Sequence, residues 1–114
     1  MNNVIENKSF DFAIRIVNLY KYLCKNKKEY VLSKQVLRSG TSIGANVSEA
    51  QQAQSKADFI SKISIALKEA TETNYWLRLL NATEYLSQSE INSILDDCIA
   101  IEKILTAILR SSKE

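Results

Sequence analysis

Few side chains in this sequence are equipped for covalent or acid–base chemistry. There is no histidine, which removes the commonest general base, the Ser-His and Cys-His nucleophile pairs, and the Glu-x-x-His ligands of di-iron bundles. Glu69 and Glu72 are three residues apart and can share a helical face, but a carboxylate pair without a basic or metal partner is more often structural or solvated. Asp96 and Asp97 are adjacent, so on a helix they point about 100° apart and cannot chelate one ion together. Gly40 and Gly44 follow no strand-like segment, and the glycine-rich loop and lysine of a phosphate cradle are missing. Cys24 and Cys98, far apart and set among apolar neighbours, read as two small core residues rather than a disulfide. The expectation is a protein that is not an enzyme, with no catalytic residue, metal site or cofactor.

What remains is electrostatics and assembly. The net charge is only +2, yet residues 1–40 carry eight basic and three acidic side chains, a net +5, while residues 81–114 carry three basic and six acidic ones, a net −3. This asymmetry either marks a basic binding end or lets the first and last helices pair as neighbours. Lys21, Lys25, Lys27, Lys28 and Lys34 cluster around the first connection and are the candidate phosphate contacts.

The elements that must position these residues are helical. A chain of 114 residues with 46% hydrophobic and 25% charged residues, no proline and two glycines suits one helical domain, 1–114. Its N-terminal segment has no signal-like apolar run, and no run elsewhere is of membrane-spanning length, so the cytoplasm is the expected location. In the first helix, 8–24, Phe10, Ala13, Val17, Tyr20 and Cys24 form one apolar stripe, expected to be buried. Phe12, Ile16, Leu19 and Leu23 form a second beside it, wide enough for two neighbours. Residues 25–29 read as a polar connection. The second helix is expected from an N-cap at Ser33 to about Ala53. There Gly40, Gly44 and Ser48 leave a ridge without bulk, and each glycine costs about 1 kcal/mol relative to alanine. Either another helix approaches closely along that ridge or the helix kinks around 39–42.

Ser55 and Asp58 open the third helix, which runs to about Asn81 along a seam of Phe59, Ile63, Ala66, Ala70, Thr73, Leu77 and Leu80. Its far side carries Ile65, Trp76 and Leu79, a strip that an isolated bundle would leave largely exposed and hence a candidate subunit interface with Trp76 as anchor. Ser87 and Glu90 form a capping box for the fourth helix, with Ile91, Ile94, Cys98, Ile101, Leu105 and Ile108 as its stripe. Four helices with short polar connections imply an all-α, antiparallel up-down-up-down four-helix bundle. Arg38, Asn46, Glu49, Glu69 and Glu72 sit beside small or apolar neighbours. They are expected to pair within the bundle or across subunits, in a network that fixes helix register and oligomer geometry.

Gln35, Leu37, Arg38 and Ser39, then Ser42, Ile43, Asn46, Val47 and Glu49, followed by Phe59, Ser64 to Ala66, Glu69, Glu72 and Tyr75 to Leu77, together resemble the bacterial four-helix-bundle family encoded in intervening sequences of 23S ribosomal RNA genes. The similarity runs from Phe10 into the last helix. Where the family motif commonly has a glycine after its glutamate, this chain has Ala50, so the turn after the second helix is expected to differ in detail. That family is in turn similar to the accessory variability determinant of diversity-generating retroelements, a basic pentameric barrel that binds nucleic acid and a reverse transcriptase. The resemblance implies a homo-oligomer, a pentamer, with RNA or DNA binding through a basic rim. The alternative is a protein–protein scaffold that binds no nucleic acid.

Overall fold

The computed structural model describes residues 3–113. It comprises four helices, α1 (Asn3–Lys27), α2 (Leu32–Ala50), α3 (Lys56–Ala82) and α4 (Gln88–Ser112), in a bundle of about 44 × 20 × 19 Å. Successive helices pack side by side and α4 returns against α1, the loosest of the four seams. Among the described residues the diagonal pairs, α1 with α3 and α2 with α4, do not pack on each other. One core draws on all four helices, with Phe12, Ile16, Ile43, Ile63, Leu77, Ile101 and Leu105 almost wholly removed from solvent.

The caps of the two later helices follow their sequences. Ser55 Oγ accepts the Asp58 N–H at 3.0 Å, while Asp58 turns back to accept the Gln54 N–H at 3.2 Å. At Ser87 the box is reciprocal, with Glu90 Oε1 accepting the Ser87 N–H at 2.8 Å. The third helix's seam is buried from Ile63 to Leu80 and the fourth's from Ile91 to Leu105. Between them Glu84, at φ 67°, takes the left-handed position of a Schellman turn, the Tyr85 N–H donates to the Leu80 carbonyl at 3.0 Å, and Leu86 enters the core.

The first two helices differ from expectation. α1 begins five residues earlier, because Ile5 and Ser9 extend its buried face. The two apolar stripes exchange roles: Phe12, Ile16 and Leu23 are fully buried, whereas Phe10 is 67% exposed and Ala13, Val17, Tyr20 and Cys24 are half-buried. A helix in one corner of a square bundle turns one face to the core, and the other stripe lies along the outer edge of the α1–α2 seam, with Phe10 and Ala13 beside Thr41, Gly44 and Ala45. α2 is not capped by Ser33, which is buried inside its first turn, and it ends at Ala50.

α2 runs without interruption through Gly40 and Gly44, and its small ridge receives α1. A Cβ at Gly40 would lie 2.7 Å from Ile16 Cγ1, and one at Gly44 would lie 3.2 Å from the Ser9 carbonyl oxygen. The close approach offsets the low helix propensity of the glycines by seating the Ile16 side chain on Gly40 and the Ser9 backbone on Gly44. Gly40→Ala is therefore expected to destabilise the bundle by about 1–3 kcal/mol through overpacking against Ile16, despite its gain in propensity. Gly44→Ala should cost less, and urea denaturation of the two variants measures both.

Candidate functional site

The basic cluster is built by the end of α1 and the start of α2. Lys21, Lys25 and Lys27 lie in the last turns of α1, where a cation complements the negative end of the helix dipole. Lys28 follows in the left-handed conformation, φ 54°, which reverses the chain, and the Glu29 N–H then donates to the Leu23 carbonyl at 3.0 Å. Lys34 stands in the first turn of α2. All five lysines are exposed, and among the described residues none has a carboxylate within 4.0 Å. Lys27 Nζ lies 5.8 Å from the centroid of the Tyr22 ring, whose hydroxyl donates to Glu90 Oε2 at 2.8 Å. The Ser87 N–H, and after it the Tyr22 hydroxyl, holds the Glu90 carboxyl below its ordinary range.

The acid in this segment, Glu29, points inward. Its Oε2 accepts the N–H groups of Val31 at 3.2 Å and Leu32 at 3.0 Å, and its Oε1 accepts that of Ser33 at 2.7 Å. The carboxylate thus replaces the missing side-chain cap of α2 and meets the helix dipole at its positive end. Burial by itself would raise the Glu29 pKa; the three backbone donors outweigh it and hold the carboxyl below its ordinary 4.5.

The polar residues expected to form one network are divided. Arg38 bridges α2 to α3, donating to Glu69 Oε1 at 3.4 Å and, through its other terminal nitrogen, to Glu72 Oε2. The Trp76 indole N–H donates to that same Glu72 oxygen at 2.9 Å. Glu49 pairs instead with Lys62 at 3.2 Å, and Asn46 bonds within its own helix to the Ser42 carbonyl at 2.9 Å. Of the outer strip on α3, Ile65 is exposed while Trp76 and Leu79 are half-buried, Trp76 packing against the core. Tyr75, exposed and edge-on to Trp76 at 5.0 Å between ring centroids, shares this surface.

The profile of the 23S rRNA-intervening sequence protein family covers residues 1–107. The chain belongs to that family. It is also similar, at 59% identity and a TM-score of 0.92, to a solved structure from Bacteroides thetaiotaomicron VPI-5482, described as a protein with unknown function from the S23 ribosomal protein family. The match covers 93% of this chain and 98% of that one. No curated protein matches.

Several polar contacts of this intervening-sequence protein escaped sequence reasoning. Thr73 donates to Ser39 Oγ at 2.8 Å inside the α2–α3 interface. Glu102 accepts from Asn74 at 2.9 Å and Thr71 at 3.3 Å across α3–α4, and Arg15 pairs with Asp97 across α1–α4. The exposed Val4, Phe10 and Ile14 on α1 were also missed as a surface. For Glu29 a signal existed: an acidic residue just before an apolar-periodic run is a possible partner for orphan N–H groups. Among the described residues no group of three or more cysteine, aspartate or glutamate side chains is placed to hold a metal. Both cysteines are free; Cys98 donates to the Ala70 carbonyl at 3.3 Å, and its burial, with Glu102 nearby, pushes the thiol pKa up to about 12.

Because the folded Glu29 pKa lies below 4.5, the stability it contributes is present above that pH and is lost as pH falls through the folded value. Glu29→Gln should cost about 1–2 kcal/mol at neutral pH, as for a lost cap, and the gap to the parent should shrink under acid; denaturation curves across the acid range read this directly. Arg38 is half exposed, so in an isolated subunit Arg38→Ala should cost no more than about 1 kcal/mol. A fall in assembly mass beyond that small loss would place Arg38 at a subunit contact, and light scattering alongside denaturation separates the two effects.

Proposed function

We propose that this protein is a non-enzymatic accessory protein that self-associates and binds nucleic acid, RNA or DNA, through the basic end of its bundle, in the cytoplasm. The observation that carries the reading is the surface of the α1–α2 end. Lys21, Lys25, Lys27, Lys28 and Lys34 are exposed and, among the described residues, none has a carboxylate within 4.0 Å, while Glu29 is turned into the α2 cap. The outward charge of the α1–α2 turn is therefore positive although the whole chain is nearly neutral. Backbone phosphates are the complementary ligand, and their neutralisation releases counterions.

Self-association is supported by two exposed apolar surfaces on diagonally placed helices, Phe10 and Ile14 on α1 and Ile65 with Tyr75 on α3. Surfaces on opposite sides of a subunit favour head-to-tail contacts, which close into a ring when the rotation allows. A ring of five would repeat the lysine cluster around one rim and multiply its field. The second reading, a protein scaffold without nucleic acid, rests on the same α3 surface, with Trp76 as anchor.

Light scattering on a sizing column is expected to return a mass near five subunits at low and high salt. Binding to RNA and DNA should weaken steeply with salt, and replacing both Lys27 and Lys28 by glutamine should reduce the slope of log K against log salt by up to about 2. A monomer that binds neither polymer at low salt would overturn the proposal. A Trp76→Ala variant that loses a protein partner while the parent ignores nucleic acid would establish the scaffold instead.

A further inference from the structure

The α1–α2 turn carries more than charge. Tyr30 is 52% exposed and Val31 71% exposed, two large apolar side chains set between Lys28 and Lys34. Among the described residues the Tyr30 hydroxyl makes no hydrogen bond, unlike that of Tyr22, which is bound to Glu90. The backbone beneath Tyr30 is nonetheless held: Glu29 on one side and Val31 on the other are tied together by the carboxylate cap. An aromatic ring is thus presented to solvent on a fixed turn in a basic surround.

We infer that this turn is a stacking platform for an unpaired base of a single-stranded polynucleotide, with Tyr30 under the base and Lys27, Lys28 and Lys34 against the flanking phosphates. The inference rests on the basic-end reading above and names the ligand class it takes. Duplexes hide the π-faces of their bases, and reading a major groove takes a helix or two-stranded ribbon laid along it. Here α1 ends and α2 begins at the binding surface, and the turn between them offers one exposed ring, Tyr30. Single strands suit that shape, because sequence-tolerant stacking on an aromatic side chain combines with lysine contacts along the backbone. Phosphate capture by the α2 N-terminus is not available as an alternative, since Glu29 already occupies the N–H groups of Val31, Leu32 and Ser33.

The test is fluorescence anisotropy of the full chain with labelled oligouridine RNA, oligothymidine DNA, and duplexes of matched length, at about 50 and 200 mM salt. The platform predicts that a single strand binds more tightly than either duplex, and the ratio between RNA and DNA strands identifies the natural source. Tyr30→Ala should weaken single-strand binding about five- to a hundred-fold and leave duplex binding unchanged, whereas Tyr30→Phe should retain it. An unchanged melting curve confirms that Tyr30→Ala stays folded. Duplexes bound as tightly as single strands, or Tyr30→Ala binding like the parent, would overturn the platform while leaving the basic end intact as a phosphate site. Absence of binding to every probe at the lower salt would overturn both.

Discussion

The Glu29 carboxylate decides where α2 begins, and much of the molecule follows from that start. Three N–H groups converge on one buried side chain, a charge-assisted arrangement stronger than three neutral hydrogen bonds. It accommodates a tight reversal in which Lys28, a residue with a Cβ, takes the left-handed conformation that usually favours glycine. It also removes the segment's negative charge from the surface. One interaction thereby ends the first hairpin and leaves its outer face basic.

Once started there, α2 carries two unlike faces into the bundle. Gly40 accepts the Ile16 side chain of α1 and Gly44 its backbone at Ser9, and Ser39 on the adjoining side meets Thr73 in a buried hydroxyl pair. Arg38, one residue earlier, leans outward over α3 to Glu69 and Glu72, and Glu72 also receives the Trp76 indole. The buried pair fixes register at the core, where an unmet hydroxyl would be costly, while the arginine cluster lies near water and adds little to an isolated subunit.

The opposite side of the bundle is less tightly made. α1 and α4 meet loosely, joined at their margins by Arg15 with Asp97 and Tyr22 with Glu90. The opposite charges of the two end helices thus do serve in part to pair them, as one reading of the charge asymmetry held. Lys27, over the Tyr22 ring and within the field of Glu90, shares in this pairing, while Lys21, Lys25, Lys28 and Lys34 are left to make the end basic.

The sequence by itself determined the four helices, the seams of α3 and α4, and their caps, because these depend on contacts three and four residues apart that any helix must make. The resemblance in α2 and α3 pointed to the family that the match over residues 1–107 establishes. Only the tertiary structure decided which of the two α1 stripes enters the core, since both have helical spacing and the choice depends on how closely each neighbour packs. It likewise decided between a kink and close packing at Gly40 and Gly44, because the answer lies in Ile16 and Ser9 on another helix. The division of Arg38, Glu49 and Asn46 among separate partners, and the inward turn of Glu29, are of the same kind. Each depends on the direction of a side chain across a chain reversal or between helices, where sequence spacing carries no distance.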